Sequence, residues 1–147
     1  FAAERLWTLS PDTLAKAGSM LGSGAIIIVD DSNSVVDVAL WTAKFYAHES
    51  CGKCTPCREG TTWTHTMLGR IKDGSATPMD LDIMASVQEH IMGNCLCVLG
   101  DAMAMPIASM ITRWRGEFEE TIARARVASP VPLAVEPAIE IPIGVDG

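Results

Sequence analysis

The chain has 147 residues, of which 48% are hydrophobic, and its 18 acidic against 11 basic side chains give a net charge of −7. That size suits one compact domain with a real core, and the absence of a basic stripe excludes a nucleic-acid partner. Five cysteines, an odd number, with no basic and apolar signal segment before them, argue against a disulfide framework and for reduced thiols, metal-bound or buried.

In chain order, Phe1 in place of Met is expected of a processed chain or a piece of a longer one. Ser10 as cap, Pro11 at the first helical position and Gly18 as terminator predict a short helix over 10–18. "AIIIVD" at 25–30 is β-branched and short, which predicts a buried strand. No second strand is evident to pair with it, so residues 1–31 are expected to be the end of a β-containing domain or to pair elsewhere. The longest apolar run, "AIIIV" at 25–29, is far too short to span a membrane.

The remainder is predicted helical. Ser34 and Asp37 have the spacing of a capping box, and Val35, Val36, Ala39, Leu40, Ala43 and Tyr46 form an apolar face behind them. Thr55-Pro56 is a cap and helix start that predicts a helix over 56–72, with Trp63, Met67, Leu68 and Ile71 on one side. Thr77-Pro78 repeats the signal for a third helix through Leu81, Met84, Val87 and Ile91, ended by Gly93. A last helix is expected after Pro106, with Ile107, Met110, Ile111, Trp114, Phe118 and Ile122. The fold class is therefore mostly α: a four-helix bundle over 32–126, preceded by a remnant helix and strand, and followed by a Pro-rich extended tail over 127–147.

The chemistry lies in "HESCGKCTPCREG" at 48–60, where Cys51, Cys54 and Cys57 recur at a step of three. This is an iron–sulfur spacing. A start of helix at Thr55-Pro56 would put the third sulfur at a helix N-terminus, whose free N–H groups favour an anionic group. A cubane needs a fourth ligand, and the residues alone leave both Cys95 and Cys97 open. Zinc sites more often pair two C-x2-4-C units, so zinc fits the triplet less well. Lys53 and Arg58 are charges that would raise the reduction potential of a nearby cluster, and Arg58 could donate hydrogen bonds near its sulfurs. His48 suits a helix C-terminus, while His65 and His90 are expected at the surface. No nucleophile–base or acid–base motif is present, so no catalytic residue is assigned. "LGSG" at 21–24 precedes a strand rather than joining strand to helix, the wrong order for a dinucleotide loop.

"SMLGSGAIIIVDD", "FYAHESCGKCTPCREGTTW", "CVLGDAMAMP" and "RGEFEE", in this order, resemble the C-terminal part of the flavin-bearing F subunit of NADH-quinone oxidoreductase, respiratory complex I. Similar subunits occur in NAD-linked hydrogenases and formate dehydrogenases. The resemblance covers about residues 14–122. It implies that Cys51, Cys54, Cys57 and Cys97 hold a [4Fe-4S] cluster, Cys97 because the family's fourth ligand directly precedes a segment like "VLGDA". It also implies that the 1–31 region ends a β-grasp-like domain.

On this resemblance the chain is an electron-transfer module of an oxidoreductase. It relays single electrons from FMN, reduced by NADH, to partner iron–sulfur subunits. The FMN and NADH sites are expected in a missing N-terminal domain or a partner chain, so the chain alone should not turn over NADH. Partners would be the other components of the NADH dehydrogenase module and a flavin domain or chain. The expected location is the cytoplasm, at the inner face of the membrane within a peripheral arm. The alternative is a structural zinc-binding interaction module with no redox role.

Overall fold

The computed structural model describes residues 10–128, so Phe1 to position 9 and the tail from 129 lie outside the described residues. The chain divides into two units, Phe1–Asn33 and Ser34–Gly147.

In the first unit, α1 (Pro11–Lys16) starts as its signals require: the Ser10 Oγ accepts from the Thr13 N–H at 3.2 Å. The strand expected at 25–30 does not form. Residues 22–30 are exposed, Ile27 and Ile28 by 87% and 90%, and no strand occurs among the described residues. A β-strand is stable only when a neighbour satisfies its N–H and C=O groups, and β propensity cannot replace that neighbour.

The second unit contains α2 (Val35–Glu49), α3 (Thr55–Asp73), α4 (Pro78–Ile91), α5 (Leu99–Arg113) and α6 (Arg115–Ala128). Each of α2 to α5 touches the next, and α5 returns to α2, which closes a four-helix bundle; α6 lies against α3, α2 and α5. The bundle is thus present, but the single last helix expected from the sequence is two. Pro106 lies inside α5 rather than before it, although it has no N–H to donate back along the helix. Met103, Ala104, Ile107 and Ile111 on either side are buried, and burying each large side chain contributes about 1.5–3 kcal/mol. Trp114 leaves helical geometry at φ −123°, ψ 29°, and its carbonyl accepts from Glu117 N at 2.9 Å as the new helix begins.

The core joins Val36, Ala39 and Ala43 of α2 to Leu68 and Ile71 of α3, Leu81, Met84 and Ile91 of α4, and Phe118 and Ile122 of α6. Ser34 caps α2, its Oγ accepting from Val36 N at 3.2 Å. Asp37 does not complete a capping box; Glu117 of α6 takes up the helix start instead, its Oε1 accepting from Val35 N at 2.8 Å and Ser34 Oγ at 2.9 Å. Asp37 instead pairs with Lys72 of α3 at 2.7 Å. At the turn between α3 and α4, Asp80 accepts from Thr77 N at 2.7 Å and pairs with Arg70 at 2.9 Å. Among the described residues no helix is long and apolar enough to cross a membrane.

Candidate metal centre

The cysteine triplet occupies the connection from α2 into α3. Ser50 ends α2, its N–H donating to the Tyr46 carbonyl at 3.0 Å. Gly52 turns the chain at φ +77°, a conformation that side chains strain to adopt. Cys54, not Thr55, is the residue that precedes the helix, and Pro56 follows inside its first turn. A thiol at that position makes no side-chain cap bond, so Cys54 leaves first-turn N–H groups open to a negative partner. Cys57 is buried, Cys54 half-buried and Cys51 exposed. The Ser50 hydroxyl lies 3.4 Å from Cys57 Sγ.

The second loop, between α4 and α5, reaches the first. Leu96 N–H donates to Cys54 Sγ at 3.3 Å, across 42 positions of sequence. Gly93 leaves α4 at φ +72°, and its N–H donates to the Asp101 carboxylate at 2.8 Å, which closes the loop on itself. Asp101 therefore sits in the first turn of α5 and braces the loop, while Val98 precedes the helix. Sequence reasoning missed this brace. Its signal is a glycine exit followed eight residues later by an acidic residue, which is too common to single out.

The two candidate fourth thiols differ. Cys97 is exposed. Cys95 is half-buried against the core, and its thiol lies 3.6 Å from the Ile91 carbonyl. Gly100 makes room for it: a Cβ there would lie 2.7 Å from Cys95 Sγ. Burial pushes the Cys95 thiol up, and its electrostatic neighbours Cys57, Cys54, Asp101 and Cys97 push it the same way. The loops thus bring Cys54, Cys57 and Cys97 within electrostatic range of Cys95.

Arg58 holds the triplet loop rather than a sulfur. Its Nη1 donates to the Gly52 carbonyl at 2.8 Å, and its Nε pairs with Glu59 at 2.7 Å. Lys53 is exposed. His48 lies in the last turn of α2, bonded to Glu49 at 3.0 Å, and His90 faces the Ser86 carbonyl at 2.7 Å; neither is among the loop thiols.

Among the described residues, no three His, Cys, Asp or Glu side chains converge on a point that one metal ion could take. A cubane binds each ligand through a different iron, which sets its thiolates farther apart than a single ion does. The donor set fits such a group: soft thiols on two facing loops, an N–H already directed at one sulfur, and open helix N–H groups beside it.

Residues 37–121 match the family described as the NADH-ubiquinone oxidoreductase-F iron-sulfur binding region. The F subunit of NADH-quinone oxidoreductase in Rickettsia felis is 45% identical over 111 residues, 76% of this chain and 26% of that protein. The F 2 subunit of the same enzyme in Rhizobium meliloti is 44% identical over 115 residues, 78% of this chain and 27% of that one. A crystal structure of an air-oxidised NAD+-reducing [NiFe]-hydrogenase superposes with TM-score 0.62 at 30% identity, over 79% of this chain and 21% of that chain. The chain spans about a quarter of the length of the curated relatives it matches.

Proposed function

We propose, from the premise that this chain belongs to the NADH-ubiquinone oxidoreductase-F iron-sulfur binding region family, that it is the electron-relay module of an NAD-linked oxidoreductase. In this reading Cys51, Cys54, Cys57 and Cys97 hold a [4Fe-4S] cluster. When bound, the cluster supplies one-electron acceptance and donation between FMN, reduced by NADH, and iron–sulfur subunits of the same complex. FMN and NADH would bind in polypeptide beyond this chain, and the assembly would lie in the cytoplasm within a peripheral arm. The segment 25–30 would become a strand only against a β-grasp-like sheet supplied by that further polypeptide.

The observation that carries the reading is the bond from Leu96 N–H to Cys54 Sγ, which ties the loop of the fourth thiol to the triplet. The chain's own residues supply the frame. Arg58 holds the Gly52 carbonyl and so the path of the triplet loop. Asp101 holds Gly93 and so the path of the second loop. The first turn of α3 presents N–H groups to negative charge. Cys97 is favoured over Cys95 as fourth ligand because its thiol is exposed, whereas the Cys95 thiol is engaged with the Ile91 carbonyl.

Anaerobic reconstitution with iron and sulfide tests this. The expected product is brown, with broad visible absorbance that bleaches with dithionite. A colourless protein with one tightly bound zinc would establish the structural zinc alternative instead. Cys97→Ser should lose the four-iron signal or leave an unstable three-iron form. Cys95→Ser should keep iron content and spectrum close to the parent, and the reverse pattern would overturn the ligand assignment.

A further inference from the structure

A groove of about 810 Å³ opens between α3 and α4, with Pro56, Gly60, Trp63, Ile83, Val87 and Ile91 in its lining. A second hollow of about 290 Å³ continues it past Trp63, Ile83 and Val87 to Met67 and Arg70. At Gly60 the missing side chain lets Ile91 of α4 pack against the α3 backbone and form the groove floor: a Cβ would lie 2.5 Å from Ile91 Cδ1. Trp63 and Ile83 stand on its walls about half exposed, at 55% and 48%. A contiguous apolar strip of this kind marks a surface that something covers.

We propose that residues 129–147 of this same chain dock in the α3–α4 groove as an extended segment. Position supports this occupant. The last turn of α6 abuts the end of α3, where a Cβ on Gly74 would lie 2.7 Å from the Ala125 carbonyl oxygen. Arg70, at the near end of the groove, is one helical turn from Gly74. The described chain therefore ends close to the end of α3 at which Arg70 lines the groove. Length supports it as well. The groove follows α3 from Thr55 to Arg70, roughly 22 Å at the rise of an α-helix. An extended Pro-rich chain advances about 3.1 Å per residue, so the segment 129–147 has ample reach.

Composition supports it too. "SPVPLAVEPAIEIPIGVDG" carries prolines at 130, 132, 137 and 142, which oppose a helix and favour an extended form that fits grooves with aromatic walls. Ile139, Ile141 and Ile143 alternate with Glu140 and Pro142, so an extended backbone puts the three isoleucines on one side. The far end of the groove is lined by Thr55, Pro56 and Asn94, the sequence neighbours of Cys54, Cys57 and Cys95.

Hydroxyl-radical footprinting of the cluster-loaded full chain tests the docking, with mass spectrometry reading oxidation at Trp63 and at Trp41, a 72% exposed tryptophan on α2, as control. Ending the chain at Ala128 should raise Trp63 oxidation several-fold and leave Trp41 unchanged. A synthetic 129–147 peptide added in trans should restore the protection. In the full chain, Ile139→Asp with Ile141→Asp should expose Trp63 as truncation does, while circular dichroism keeps its helical signal. Equal Trp63 oxidation in full and shortened chains would overturn the proposal. So would protection that survives truncation and rises with protein concentration, since a second copy would then be the occupant. Because the footprint reads no redox signal, its failure is separable from failure of the relay reading.

Discussion

The two ends of the α3–α4 pair are held by different means. At the Gly74 end the contacts are self-sufficient. Asp80 takes two bonds from Thr77 and an ion pair from Arg70, Asp73 accepts from Ser75, and Ala76 is fully buried. At the cysteine end two loops with exposed Leu96, Cys97 and Val98 are joined by a single N–H to sulfur bond and braced by Arg58 and Asp101. One end is tied by several protein contacts. The other buries Cys57 but leaves Cys51 and Cys97 exposed on two loops, the condition in which a bound metal group contributes to folding.

Removing the cluster should break this comparison most visibly. Chelation of iron from the loaded chain is expected to lose amide protection over residues 50–60 and 93–101 by many-fold, as metal binding is linked to folding of its loops. Protection over 70–81 should stay close to that of the loaded protein. Hydrogen exchange read by mass spectrometry decides it, and equal protection of both ends in the apo form would show that the cysteine end needs no group.

A smaller effect is expected from Gly74→Ala at the other end. Gly74 closes α3 at φ +84°, and a Cβ would lie 2.7 Å from the Ala125 backbone. Backbone strain together with the displacement of α6 should cost about 2–3 kcal/mol. Denaturant unfolding measures this, and the iron content per folded molecule should not change. Iron loss in step with stability would mean that the two ends are coupled more tightly than their contacts suggest.

The smallest effect is expected from Asp101→Ala. It frees the Gly93 N–H at an exposed position, which should cost about 1 kcal/mol or less. The loss should be felt in the 93–101 loop and not at 70–81, and should be larger in the apo chain than in the loaded one. Loop-resolved hydrogen exchange of both forms checks the sign.

Much of the architecture is legible in local signals. Ser34 and Thr77-Pro78 start helices where the residues say they should, because a cap acts on the N–H groups of its own first turn. The step of three between Cys51, Cys54 and Cys57 is equally plain, and it points to an iron–sulfur chemistry without any knowledge of the fold. The Thr55 cap is off by one residue, and the correction matters, because it puts the Cys54 thiol at the helix entrance. Pro106 misleads as a start signal: the apolar contacts of Met103, Ala104 and Ile107 on the bundle outweigh one missing N–H. The β-branched run at 25–30 misleads for the opposite reason, since no described segment offers it a ladder.

What the sequence determined alone is whatever acts within a turn or two of chain: helix starts, the glycine exit at Gly93, and the soft donor set of the triplet. Tertiary structure decided what depends on groups far apart. It set Glu117 rather than Asp37 at the start of α2, half-buried Cys95 beside Gly100 while leaving Cys97 exposed, and brought Leu96 to Cys54. The physical reason is range: a cap or a turn is closed by neighbours along the backbone, whereas burial and a shared site exist only once separate helices have packed.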